Sequence, residues 1–135
     1  MIKSVNYLQF RNFIDTLDGI DRKEALENVA YFINFFGNAG TQGYTGNAFI
    51  YENSGWLLSR PILEGRTISR CYILENERGK GKGELMVKDF HSYYNNTKIR
   101  IKSKPDALGF WKKMGYHIMD NPDDGFYEGW YENSA

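Results

Sequence analysis

Cysteine is almost missing from this chain. Cys71 is the single one among 135 residues, so no disulfide can close within the chain and a reducing compartment is expected. Histidine is scarce as well. His91 and His117 are the two present, and no third ligand stands at metal-binding spacing from either, so no metal site is expected. The same scarcity leaves no Ser-His-Asp or Cys-His pattern, and Cys71 reads as a packed strand residue rather than a nucleophile. Three prolines are too few for a proline-rich spacer, and no repeat or low-complexity segment interrupts the chain. No apolar run approaches the ~20 residues that span a bilayer. Met1 to Tyr7 lacks the apolar centre of a signal peptide, so a cytoplasmic protein without a membrane partner is expected.

A net charge of one sign is also absent, since 17 basic residues balance 17 acidic ones. Their placement is uneven. From Arg78 to Lys113 ten basic residues face three acidic ones (Glu84, Asp89 and Asp106), leaving seven basic and fourteen acidic for the rest. That asymmetry points to a polyanion site in one half and a cation-attracting surface in the other, set against the plainer reading of solvated faces. What the chain has in quantity is aromatic residues, 16% of the total, enough for a core and a groove wall built from large rings. The length suits a single domain over 1–135.

The pattern along the chain gives the element order. Ile2 to Tyr7 reads as a short strand, and Phe10, Phe13, Ile14 and Leu17 recur at helical spacing until Asp18-Gly19. Asp21-x-x-Glu24 resembles a capping box for a helix whose apolar face is Ala25, Leu26, Val29, Phe32, Ile33 and Phe36, with Gly37 as C-cap. A glycine-rich loop, 37–47, follows as plain connection or substrate-side flap. Ala48 to Glu52, Trp56 to Ile62 and Thr67 to Leu74 form an antiparallel meander, turned by Asn53-Ser54-Gly55 and Glu64-Gly65. A helix from Glu84 to Tyr94 is expected to bury Leu85, Met86, Phe90 and Tyr93, and to leave His91 toward solvent or its flank. Lys98 to Lys102 alternates as a strand with one basic face. Ser103 and Pro105 start a last helix that Gly115 stops, and Tyr116 to Met119 and Phe126 to Tyr131 close the chain as two strands, His117 in the first of them. The order is (β)ααβββαβαββ.

Between the third strand of the meander and the next helix stands Arg78-Gly79-Lys80-Gly81-Lys82-Gly83. A strand that turns through alternating glycines into a helix presents free backbone N–H groups at the positive end of the helix dipole. A phosphate reaches such a backbone where no Cβ stands in the way. The spacing fits neither Walker A nor the dinucleotide fingerprint. It fits Arg/Gln-x-x-Gly-x-Gly/Ala through Arg78, Gly81 and Gly83. Further on, Ala107-Leu108-Gly109-Phe110-Trp111-Lys112-Lys113-Met114-Gly115-Tyr116 is similar to an Ala-x-x-Phe-Tyr-x-x-x-Gly-Phe segment. With both blocks, over roughly residues 66 to 118, the chain resembles the GNAT superfamily of acyl-coenzyme A N-acyltransferases.

The resemblance implies an α/β fold: a central mixed, mostly antiparallel sheet with a splayed pair of parallel strands and helices on both faces. It implies acetyl-CoA as co-substrate and a primary amine, on a small molecule or a protein, as acceptor. The pyrophosphate would lie on Gly79, Lys80, Gly81, Lys82, Gly83 and Glu84, and the pantetheine along Cys71, Tyr72 and Ile73, with an N–H near Ile73 polarising the acyl carbonyl. Phe110 and Trp111 would border the coenzyme. Lys104 would pair with a coenzyme phosphate or face solvent. Trp111 stands where the family commonly has a tyrosine acid, and Thr67 where some relatives have a glutamate base. Glu75 and Glu52, acting through water, are the candidate bases; Tyr72 and Tyr116 could donate a proton. Asp120, Asp123, Asp124, Glu128 and Glu132 would border the acceptor or form a solubilising hairpin. The alternative is a catalytically silent module of the same fold for a protein or nucleic acid, with Lys98, Arg100, Lys102 and Lys104 tracking phosphates. A monomer or homodimer fits either reading.

Overall fold

The structure, a computed structural model, describes residues 1–36 and 46–132. The proposed Gly37 C-cap and most of the glycine-rich loop lie outside the described residues. The elements run β1 (Ile2–Val5), α1 (Tyr7–Ile14), α2 (Gly19–Tyr31), β2 (Asn47–Tyr51), β3 (Gly55–Ile62), β4 (Gly65–Ile73), α3 (Lys82–Tyr93), β5 (Lys98–Ser103), α4 (Leu108–Lys113), β6 (His117–Ile118) and β7 (Tyr127–Glu132). Single 3-10 turns occupy Ile33–Phe35, Glu75–Glu77 and Pro105–Ala107.

One seven-stranded sheet joins all the strands in the order β1-β2-β3-β4-β5-β7-β6. Every pairing is antiparallel except that of β4 with β5. Side chains alternate across a strand, so a strand covered on both faces must be apolar throughout. The first half of β3 meets that demand: Trp56 and Leu58 join Phe10, Phe13, Ile14, Ala25 and Val29 on the α1–α2 face, while Leu57 joins Met86, Val87, Phe90 and Trp111 on the α3–α4 face. The result is three layers, with two cores separated by the sheet. The mixed sheet, the parallel pair and helices on both faces follow the expected fold class.

Several local readings need correction. The capping box belongs to α1, where the Asn6 side chain accepts the Gln9 N–H and the Gln9 side chain accepts the Asn6 N–H, each at 2.8 Å. α2 starts at Gly19 behind Asp18, which puts Asp21 inside the first turn with its carboxylate free for a tertiary partner. That helix stops at Tyr31, short of Ile33 and Phe36. The Gly19 φ of +53° lets the backbone turn from α1 into α2, where the sequence suggested only an ending. On the surface side, Leu26, Leu85 and Tyr93 are exposed. His91, expected toward solvent or the helix flank, is buried at 8% exposure.

Candidate functional site at the β4–β5 gap

β4 and β5 share only a short parallel ladder: Gly65 with Lys98, Arg66 with Ile99 and Thr67 with Arg100. The Thr67 hydroxyl donates to the Arg100 carbonyl at 3.1 Å at the last rung. From there the strands part, β4 continuing with β3 through Ile73 and β5 with β7 through Ser103. A bulge marks the parting point. Leu58 faces Arg70 and Ser59 faces Ile68, so Ser69 has no partner of its own and β4 bends away.

The backbone of β4 past the bulge is aimed into this gap. Leu74 N–H donates to the Ser54 carbonyl just outside the Gly55–Ile73 pair. By antiparallel alternation, Ile73 and Cys71 therefore turn their N–H and C=O groups away from β3. The Ile73 carbonyl accepts from Arg78 Nε at 2.9 Å, and the Arg78 guanidinium lies 5.0 Å from the Tyr72 ring centre. Arg78 thus braces the loop it begins.

The loop ends in the N-terminus of α3. Gly79 and Gly81 have φ of +78° and +75°, the left-handed region that glycine tolerates. A Cβ at either would meet nothing within 4 Å, so protein atoms leave this space open. Gly81 is the N-cap and supplies no side-chain cap, leaving the first N–H groups of a twelve-residue helix unclaimed by side chains. A cleft of about 470 Å³ opens in front of them. Its wall includes Cys71 and Ile73 of β4, Arg78, Gly79, Gly81, Lys82, Gly83 and Glu84 of the loop and helix, and Phe110 and Trp111 of α4. These ten residues are all among those singled out in the sequence. Glu84 is tied by Lys88 at 3.0 Å and Lys113 at 3.2 Å, and these ammonium groups hold its carboxyl below the usual range.

On the other side of the gap a larger cleft, about 1230 Å³, is lined by Thr67, Ile68, Ser69 and Arg70 of β4, Arg100 and Lys102 of β5, and Asp123, Asp124 and Glu128 around the last hairpin. The gap therefore lies between two clefts, one against the glycine loop and one against the terminal strands.

The remaining singled-out residues lie elsewhere. Lys104 is exposed after β5 and lines neither cleft. Lys80 is paired with Glu77 at 3.1 Å. Glu52, in the β2–β3 turn, is held at 2.6 Å by the Met1 ammonium, which keeps its carboxyl low, two strands from β4. Tyr72 is stacked on Trp56 with ring centres 4.5 Å apart, and its hydroxyl donates to Asp21 Oδ1 at 2.7 Å. Burial and then the Asp21 carboxylate push the Tyr72 phenol up to about 12. Glu75 sends its backbone N–H to the same Asp21 oxygen at 3.0 Å. None of Glu52, Tyr72 and Glu75 lines either cleft. Tyr116 is a core residue whose hydroxyl lies 2.8 Å from His91 Nε2, and burial raises its pKa. The Cys71 side chain packs against the α3–α4 core, and burial pushes its thiol up to about 12, the state of a packed neutral thiol. Among the described residues, no group of three or more His, Cys, Asp or Glu is placed to hold a metal ion.

Sequence reasoning missed Asp21 and Ser69. Nothing local to Asp21 signals its partner Tyr72, 51 residues away, and the bulge at Ser69 is a mismatch between strands rather than a motif.

Solved structures supply the comparison. A Bacteroides thetaiotaomicron protein described as a GNAT-family acetyltransferase superposes with a TM-score of 0.68 at 12% identity, over 98% of this chain and 87% of that one. The ribosomal-protein-S18-alanine N-acetyltransferase of Escherichia coli gives 0.65 at 11% identity, over 100% and 94%. The chain has the GNAT fold. A Bacillus subtilis N-acetyltransferase solved in complex with coenzyme A gives 0.58 at 16% identity over 98% and 97%. No protein-family model matches the sequence, and a search of the curated proteins finds no match either. The GNAT likeness is thus carried by the backbone and by two short sequence blocks.

Proposed function

We propose that this chain is an acyl-CoA-dependent N-acyltransferase that moves an acetyl group from acetyl-CoA to a primary amine. The observation that carries the reading is the gap between β4 and β5, bordered on one side by an uncapped helix N-terminus behind two left-handed glycines. The residues present fit the coenzyme. Unclaimed N–H groups at the start of α3 suit a pyrophosphate, the Cys71 backbone suits a pantetheine amide, and the Phe110–Trp111 wall is apolar enough for the pantetheine arm. The coenzyme supplies an acetyl thioester whose carbonyl is open to attack.

The chain's own work is positioning. The amine would approach through the larger cleft, its nitrogen lone pair attacking the carbonyl carbon while the C–N bond forms and the C–S bond breaks. The Ile73 N–H, aimed into the gap, would hold the carbonyl oxygen as it gains charge. The amine's proton passes to water in the open cleft, and the sulfur leaves as a thiolate that needs no dedicated acid. This accords with Trp111 at the tyrosine position and with Tyr72 engaged by Asp21. The test is incubation with acetyl-CoA and pooled primary amines, following free thiol and the mass of the acetylated product. Acetylated amine formed by the native protein and lost in Gly83→Val supports the reading; a variant as active as the native protein contradicts the coenzyme site.

For the silent-module reading, which rests on Trp111, Lys104 and Thr67 standing at the usual catalytic positions, the basic row adds little. Lys98 lies 3.7 Å from Glu64 and 3.8 Å from Glu132, Arg100 lies 4.0 Å from Glu64, and Lys102 faces Glu128 across the β5–β7 ladder. With two of its four cations, Lys98 and Arg100, already drawn to carboxylates, the row is a weaker track for phosphates.

A further inference from the structure

The larger cleft is charged in a way that a plain amine does not suit. Arg70 stands at the β4 edge of the gap and Lys102 at the β5 edge, with Arg60 beside them on β3. Of the carboxylates, Asp123 and Asp124 stand at the last hairpin, Glu128 faces Lys102 across the β5–β7 ladder, and Glu64 stands at the β3–β4 turn. Arg100 is drawn to Glu64, but among the described residues no ion pair ties Arg60, Arg70 or Lys102, nor Asp123, Asp124 or Glu128. Arg70 gives one N–H to the neighbouring Ser69 carbonyl at 2.8 Å, and its guanidinium lies 5.0 Å from the Phe32 ring centre, which leaves further donors available. The mouth of the gap is therefore flanked by Arg70 and Lys102, neither of them in an ion pair, with carboxylates around the rim of the cleft.

An alkylammonium that reached this mouth would meet like charges. The same charges favour the neutral form of an amine, the form that attacks a thioester. They help the chemistry and hinder the binding of any acceptor that is only cationic. An anionic group on the acceptor reverses the binding term, because guanidinium and ammonium groups make charge-assisted hydrogen bonds to carboxylate or phosphate. The rim acids would steer the amine end on approach. We propose that the acceptor is an amphoteric primary amine, carrying a carboxylate or phosphate within a few bonds of its nitrogen, with Arg70, Lys102 and Arg60 holding the anion at the mouth of the gap. The inference rests on the acyl-transfer reading above and deepens it.

The experiment compares matched acceptors in the presence of saturating coenzyme A, reading binding by calorimetry and transfer by thiol release from acetyl-CoA. The probes are α-amino acids against their decarboxylated amines, 2-aminoethyl phosphate against ethanolamine, and spermidine. The amphoteric member of a pair is expected to bind about tenfold or more tightly than its plain partner. The amino-acid and aminophosphate arms tell which anion is preferred. In Arg70→Gln and in Lys102→Gln, both at exposed positions, that ratio should fall about tenfold while coenzyme affinity holds. Equal binding within each pair, tighter binding of spermidine, or an unchanged ratio in both variants overturns the inference and leaves the coenzyme site standing. Failure of coenzyme A itself to bind overturns the acyl-transfer reading and this inference with it.

Discussion

Gly81 and Gly83 look equivalent in the sequence and differ in the structure. Gly81 has φ +75°, so any side chain there strains the loop by about 1–2 kcal/mol even though a Cβ meets nothing. Gly83 is helical, and its Cβ would make ordinary contacts at 3.6 Å with Ile73 and Phe110, inside the wall of the smaller cleft. Gly83→Val should therefore keep the fold, with a melting temperature no lower than the native protein's since valine suits a helix better than glycine. It should lose coenzyme affinity by at least about 100-fold, checked by calorimetry. Gly81→Ala should melt lower instead. His91 shows the limit of reading polarity as exposure. Its ring is stacked at 4.0 Å on Tyr131 and bonded to Tyr116, and burial pulls its pKa down to about 4. The unfolded chain binds a proton near 6.5 that the folded one refuses, so this contribution is complete above about 6.5 and is lost as pH falls toward 4. The loss is on the order of 3 kcal/mol, and a His91→Gln variant should flatten the pH dependence of denaturant midpoints in that window.

At the scale of elements, helices and strands with strong periodicity were legible, and their joints were not. The meander, α3 and β5 follow from alternation and spacing, because both faces of the sheet are covered and the pattern has to match. The α2 cap was misplaced because Asp21 satisfies the capping pattern by type while its carboxylate serves β4. That contact ties α2 to the end of the strand facing the gap. Asp21→Asn should lower the Tyr72 pKa from about 12, since the carboxylate both accepts the phenol proton and opposes the phenolate. An ultraviolet pH titration of the tyrosines reads this directly. The stability cost should be about 1–2 kcal/mol, measured by urea unfolding.

For the molecule as a whole, the charge asymmetry of the sequence divides differently in space. The basic half supplies the glycine loop, but β5 places Lys98 and Arg100 against acids contributed by the β3–β4 turn and β7. Retention on nucleic acid should accordingly be absent at ~50 mM salt in a filter-binding or gel-shift assay, and steep salt-dependent binding would contradict this. The smaller cleft was legible because it is local: ten of its wall residues come from β4, the glycine loop and α4, short blocks with fixed spacing. The larger cleft was not legible as a unit, because β3, β4, β5 and the last hairpin meet there only once the sheet has formed and β4 has bulged at Ser69.

The most direct measurement is a calorimetric titration of the native protein and of Gly83→Val with acetyl-CoA, with circular dichroism on both. The account predicts saturable binding at about micromolar Kd for the native protein and none for the folded variant. Equal affinity in the two, or no binding by a native protein that is demonstrably folded, would contradict the claim that the start of α3 and the β4–β5 gap form a coenzyme site.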